Sequence, residues 1–169
     1  MALRGKGVIV SEKEILEKFG ADLSPRKNNI WGDPQESFVG DVDGKMCRTG
    51  YGIYWEAVAR ASRNWRESES FSNWKIEDLT REIKKGTPVI IWGVLPVTYL
   101  TDCSWRTMSG KYVLAFKQTH VRLAVGFMGE ESSPSRIIIN DPLSGRLFWP
   151  ASYFLENWKT FGFSGVVIR

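Results

Sequence analysis

Metal-ligating side chains are scarce in this sequence. There is one histidine, His120, and there are two cysteines, Cys47 and Cys103. A zinc site draws its ligands from closely spaced Cys and His residues, and no such spacing exists here, so we expect no metal and no metal cofactor. Two cysteines do not define a disulfide framework, and their pairing cannot be read from spacing. Cys103 lies between Thr101-Asp102 and Ser104-Trp105 in a connection between strands, and we expect a free thiol there. No apolar run approaches the roughly 18 residues needed to span a bilayer. A secretory h-region is also missing, because Ala2-Leu3 is followed at once by Arg4 and Gly5. The net charge is +4, but basic residues are scattered and form no run beyond pairs such as Lys84-Lys85. That pattern describes a solvated basic surface rather than a nucleic-acid face. There is no internal repeat and no low-complexity segment.

What is present is core material. Apolar residues make up 43% of the chain and aromatics 13%, with eight Trp, enough for one packed domain over residues 1–169. Ser11 and Glu14 form the capping pattern S-x-x-E ahead of a helix at 12–19, with Gly20 as its stop and Ile15, Leu16 and Phe19 as its buried face. Residues 21–52 are rich in Gly, Asp, Asn and Pro and read as one long loop, tied down by Trp31, Phe38, Val39 and Tyr51. Asp41-x-Asp43-Gly44 lacks the third acidic position and the distal Glu of a calcium loop. Helical spacing returns at 53–65 (Tyr54, Ala57, Val58, Ala61, Trp65) and at 76–85 (Ile76, Leu79, Ile83), with a Ser-rich loop at 67–72 between them.

Beyond Gly86 the period becomes that of strands. Residues 88–92, 111–116, 120–127, 136–140, 146–149 and 165–168 are the expected strands, with one late helix over 151–161. In 120–127, Val121, Leu123, Val125 and Phe127 fall on one face, and His120, Arg122, Ala124 and Gly126 on the other. Helices followed by an antiparallel sheet with a late helix make an α+β fold.

The single histidine opens a strand whose hairpin partner ends at Asn140-Asp141. Pairing across the hairpin puts residue 120 opposite about residue 142, and cross-strand Cβ atoms lie roughly 4.5–5.5 Å apart. Asp141 is therefore expected to accept from one imidazole nitrogen, fix its tautomer and leave the other nitrogen for a nucleophile.

Several strings together resemble the C39-like branch of the papain-like cysteine peptidases. They are His120-Val-Arg-Leu-Ala-Val-Gly126-Phe, Ile137-Ile-Ile-Asn-Asp141-Pro142-x-x-Gly145, Trp31-Gly-Asp-Pro34, Phe38-Val-Gly40, Thr49-Gly-Tyr-Gly52, Gly86-x-Pro88-Val-Ile-Ile-Trp92 and Phe154-x-x-x-Trp158. Each is short; their order and spacing carry the resemblance from near residue 3 to the end. It implies a papain-like fold and a Cys-His-Asp triad that hydrolyses peptide or amide bonds, with a peptide or protein as partner. His120 and Asp141 stand at the family's base and orienter positions.

The family's cysteine, and the glutamine of its oxyanion hole, lie upstream of the segment that begins here at Met1. Residues 1–4 resemble the tail of the nucleophile helix, so the chain is expected to be truncated at its N-terminus, which leaves the compartment open between cytoplasmic and secreted. Cys47 is the alternative nucleophile, near a helix start and flanked by Lys45 and Arg48. Trp31, Asp33, Gly50 and Tyr51 are the candidate walls of a substrate cleft, while Trp92 is assigned to the core. The alternative function is a catalytically inactive module that keeps the cleft to bind an extended peptide. Oligomeric state is not readable.

Overall fold

The computed structural model describes residues 1–95 and 98–169. Its elements in chain order are α1 (Ala2–Gly5), α2 (Glu12–Phe19), β1 (Ala21–Asp22), β2 (Phe38–Gly40), β3 (Gly50–Gly52), α3 (Trp55–Ser62), β4 (Ser68–Phe71), α4 (Ile76–Lys84), β5 (Val89–Val94), β6 (Trp105–Arg106), β7 (Tyr112–Val113), β8 (Thr119–Gly129), β9 (Pro134–Asp141), β10 (Gly145–Pro150), α5 (Ala151–Lys159) and β11 (Gly165–Ile168). The fold is α+β and papain-like. An antiparallel sheet of six strands runs in the order β10-β9-β8-β5-β11-β4.

The sheet separates two cores. On one face Trp92, Val94, Leu123, Val166 and Ile168 pack against Tyr54, Val58 and Ala59 of the α3 region and against Trp31, Val39 and Tyr51 of the segment before it. On the other, Val89, Ile91, Ile137, Ile139 and Val167 pack against Leu79 and Ile83 of α4 and Phe154 and Trp158 of α5. Alternation along each strand sends neighbouring residues to opposite cores.

The α2 terminus forms as its capping pattern requires. Ser11 Oγ accepts from Glu14 N at 3.2 Å, and Glu14 Oε2 accepts from Ser11 N at 2.9 Å. Of its expected buried face, Ile15 and Phe19 pack on the first core, but Leu16 is exposed. The segment 21–52 is ordered, and it holds three short strands that a turn-rich composition hides. Trp31 Nε1 donates to Ser24 O, and the Trp31 ring lies 5.2 Å from that of Trp105.

Three further expectations need correction. The Ser-rich segment 67–72 contains β4 rather than only a loop. It pairs with β11 at the sheet edge, where one face meets water and serine is tolerated. Only Tyr112–Val113 of the expected strand 111–116 pairs as a strand, with Trp105–Arg106. In β8 the pairing jumps from Ala124↔Ile139 to Gly126↔Ile138, leaving Val125 as a bulge. The bulge reverses the alternation, so Phe127 packs with Ala124 in the second core instead of following Val121 and Leu123.

Candidate active site

The site is built where β8 and β9 lie side by side near the turn into β10. Leu123 faces Asn140, and one step further along that register places Arg122 beside Asp141, so His120 reaches the carboxylate along the strand rather than from directly opposite. His120 Nε2 and Asp141 Oδ2 are 2.9 Å apart. An ionised carboxylate only accepts, so Nε2 carries the proton and Nδ1 is left unprotonated in the neutral ring.

The other carboxylate oxygen is fixed by local chain geometry. Oδ1 accepts from Leu143 N at 2.8 Å and Ser144 N at 3.0 Å, an Asx turn that closes the β9–β10 hairpin. Gly145 completes the turn at φ +73°, a conformation a side chain resists. Burial raises the Asp141 carboxyl, but these backbone donors and His120 outweigh it and hold the group below its ordinary range. The His120 imidazole is lowered from its ordinary value, first by burial and next by the Arg122 charge, with Asp141 opposing both.

Arg122 is the residue that sequence reading missed. Its Nε donates to Asp141 Oδ2 at 2.8 Å, and its side chain is 1% exposed. Asn157 of α5 was missed too. Its Nδ2 donates to Val94 O at 2.7 Å and its Oδ1 accepts from Val94 N at 3.2 Å. Gly93, paired with His120 in the β5–β8 register, makes room for it: a Cβ there would lie 1.8 Å from Asn157 Oδ1. The available signals were a charged residue in an apolar strand and an interior glycine in another.

A cleft of about 280 Å³ adjoins the histidine, lined by Phe38, Tyr51, Trp92, Thr119, Val121 and Pro142 among others. Tyr51 Oη lies 2.6 Å from Tyr54 Oη and 2.9 Å from Thr119 Oγ1, a buried hydroxyl network along its wall. Burial holds both phenols above their ordinary value, so they remain neutral donors and acceptors near neutrality.

Of the expected cleft residues, Tyr51 lies in this wall. Trp31 is buried at 3% exposure and, with Asp33, edges a different groove of about 740 Å³. Asp33 is paired with Lys111 at 2.9 Å. Gly50 is packed against backbone, where a Cβ would meet Asp41 O at 2.3 Å. Trp92 is core, with its Nε1 donating to Ile53 O.

The two cysteines require a correction. Cys47 and Cys103 are joined in a disulfide, with Cα atoms 6.0 Å apart, so Cys103 is not a free thiol. Cys47, offered as an alternative nucleophile, has no thiolate to present while so bonded. It sits in the β2–β3 connection at a φ of +63°, and α3 begins only at Trp55. Among the described residues no three His, Cys, Asp or Glu side chains converge as a metal site, and no helix is long and apolar enough to cross a membrane.

Comparison with known proteins adds three findings. The sequence model of the Peptidase_C39 like family matches residues 1–166. No curated protein sequence matches the chain. Among solved structures, a protein from Bacillus anthracis described as a C39-like peptidase superposes with a TM-score of 0.83 at 20% identity, covering 99% of this chain and 84% of that one. At that identity the likeness shows the fold alone.

Proposed function

The chain belongs to the Peptidase_C39 like family, and on that premise we propose that it carries the base and orienter of a cysteine-peptidase site, His120 and Asp141, beside a cleft for an extended peptide. The observation that carries this reading is the Nε2–Oδ2 bond, which leaves Nδ1 free at a residue lining the cleft. In the proposed reaction a cysteine thiol gives its proton to Nδ1 as its sulfur lone pair forms a bond to the peptide carbonyl carbon and the carbonyl π pair moves to oxygen. The imidazolium then protonates the departing amine as the C–N bond breaks, and water hydrolyses the acyl-enzyme.

Both cysteines of this sequence are held in the disulfide, so the reading requires a thiol from outside these residues. The second reading, a peptide-binding module without catalysis, is favoured by that same observation. The coding sequence preceding Met1 separates them: an in-frame Gln followed by Cys supports the enzyme, and a stop codon supports the module. A disulfide across 56 residues also suits an oxidising compartment better than the cytosol.

The reading is tested by incubating the 169-residue chain with a fluorogenic peptide library, with and without reductant, while following the His120 ring signals by NMR. We expect peptide-dependent shifts of those signals and no cleavage in either condition. Cleavage that appears only on reduction and is lost in Cys47→Ser would transfer the nucleophile to Cys47. Absence of any peptide-dependent shift would remove the cleft.

A further inference from the structure

Arg122 lies where three elements converge beneath the His120–Asp141 pair. Its Nε donates to Asp141 Oδ2 at 2.8 Å, the same oxygen that accepts from His120 Nε2. One terminal nitrogen donates to Val94 O at 3.3 Å and the other reaches Asn157 Oδ1 at 3.5 Å. The guanidinium stands 4.7 Å from the ring of Trp149. A buried arginine carries a large desolvation cost unless it is paired, and its partner here is also the histidine's partner. The carboxylate does not need the arginine for its hydrogen bonds, because Oδ1 holds two backbone donors and Oδ2 already holds Nε2.

We propose that Arg122 is a positioning residue for the pair: by sharing Oδ2 it neutralises the Asp141 charge, so that the imidazole rests uncharged, with Nε2 protonated and Nδ1 bare. The protonation claim stands independently of the peptidase reading; only its catalytic consequence rests on that reading. The groups facing His120 are few. Asp141 comes from β9 and Arg122 from β8 itself. Tyr51 and Tyr54 face the cleft from the other side. From α5 come neutral Asn157 and Tyr153, the latter beside Arg122, and β5 offers the uncharged indole of Trp92 and the backbone of Gly93 and Val94. Two opposite charges thus govern the imidazole. Burial and Arg122 lower it and Asp141 raises it, with the lowering dominant. Under the peptidase reading, an imidazole so held offers a bare Nδ1 to the proton of a thiol.

The test is an NMR titration of His120 in the wild-type chain, Arg122→Met, Arg122→Gln, Asp141→Asn and Asp141→Asn combined with each Arg122 change. Methionine replaces a buried ion by an apolar side chain of similar length and is the variant best placed to fold. Losing Arg122 is expected to raise the His120 midpoint by about one unit, a tenfold gain in proton affinity. In the Asp141→Asn background a smaller shift is expected: the direct repulsion between Arg122 and the imidazole is still relieved, but no carboxylate is released. An unchanged midpoint overturns the proposal, and so does an equal shift in both backgrounds. Should no Arg122 variant fold, the wild-type ring nitrogen shifts still decide: a neutral Nε2–H ring at neutral pH is expected, and an imidazolium contradicts it. None of these readouts needs peptide or turnover, so failure of the peptidase reading is seen separately, in the peptide experiment.

Discussion

His120 Nε2 meets Asp141 Oδ2 at 2.9 Å, while the second carboxylate oxygen is held by the two amides of the turn that Asp141 begins. The carboxylate therefore cannot swing away from the imidazole without opening the β9–β10 hairpin. Orientation is supplied by the chain before any ligand arrives, which is what a base-and-orienter pair requires.

That arrangement makes the protein acid-sensitive in a defined window. The folded imidazole binds its proton less readily than an unfolded one, whose ordinary value is 6.5. As pH falls through that value the unfolded state takes up the proton first, so the His120 contribution to stability declines from there down to the lower folded value and then levels. His120 is the only imidazole in the chain, so this phase has one source. Denaturant midpoints measured from neutral to mildly acidic pH are expected to fall for wild type and to stay flat over the same window in His120→Gln. An equal slope in both proteins would place the acid sensitivity elsewhere.

The disulfide closes a loop of 56 residues between the β2–β3 connection and the segment before β6. Loop-closure entropy for that span corresponds to about 4 kcal/mol of stabilisation. Replacing both Cys47 and Cys103 by Ser is expected to lower unfolding stability by up to roughly that amount, and reductant is expected to bring the wild-type curve toward that of the double variant. A wild-type curve insensitive to reductant under conditions that fully release both thiols would contradict this.

Much of this architecture was legible because it follows from local periodicity. The Ser11–Glu14 capping pattern, the apolar stripe of α4 and a strand at 88–92, observed as Val89–Val94, are written in spacing, and so is the hairpin that brings His120 toward Asp141. What stayed hidden depends on contacts far apart in sequence. The bulge at Val125 reverses the face of Phe127, yet valine there looks like any other alternating residue. Arg122 reads as a polar position on a half-exposed strand until β9 and α5 close over it. The Cys47–Cys103 bond joins two loops whose approach no local pattern reports.

Gly93 shows the same dependence on distant contacts and can be tested. A Cβ at this position would stand 1.8 Å from Asn157 Oδ1, whose side chain satisfies both backbone groups of Val94. Gly93→Ala is expected to cost about 2–4 kcal/mol, through overpacking and broken buried hydrogen bonds. Asn157→Ala alone is expected to cost about 1–3 kcal/mol, and the double variant no more than Asn157→Ala, since the clash then has no partner. Additive costs in denaturant unfolding would show that the two residues act separately.

The central claim is that Asp141 acts on His120 through its charge and its single shared bond. NMR titration of the His120 ring in wild type and in Asp141→Asn tests it directly. The asparagine can keep its oxygen on the turn amides, but its NH₂ then faces the donors of His120 and Arg122, and the charge is gone. The account predicts that the His120 midpoint falls further below its ordinary value in Asp141→Asn. Identical titrations in the two proteins would show that the pair is not coupled, and the candidate active site would lose its physical basis.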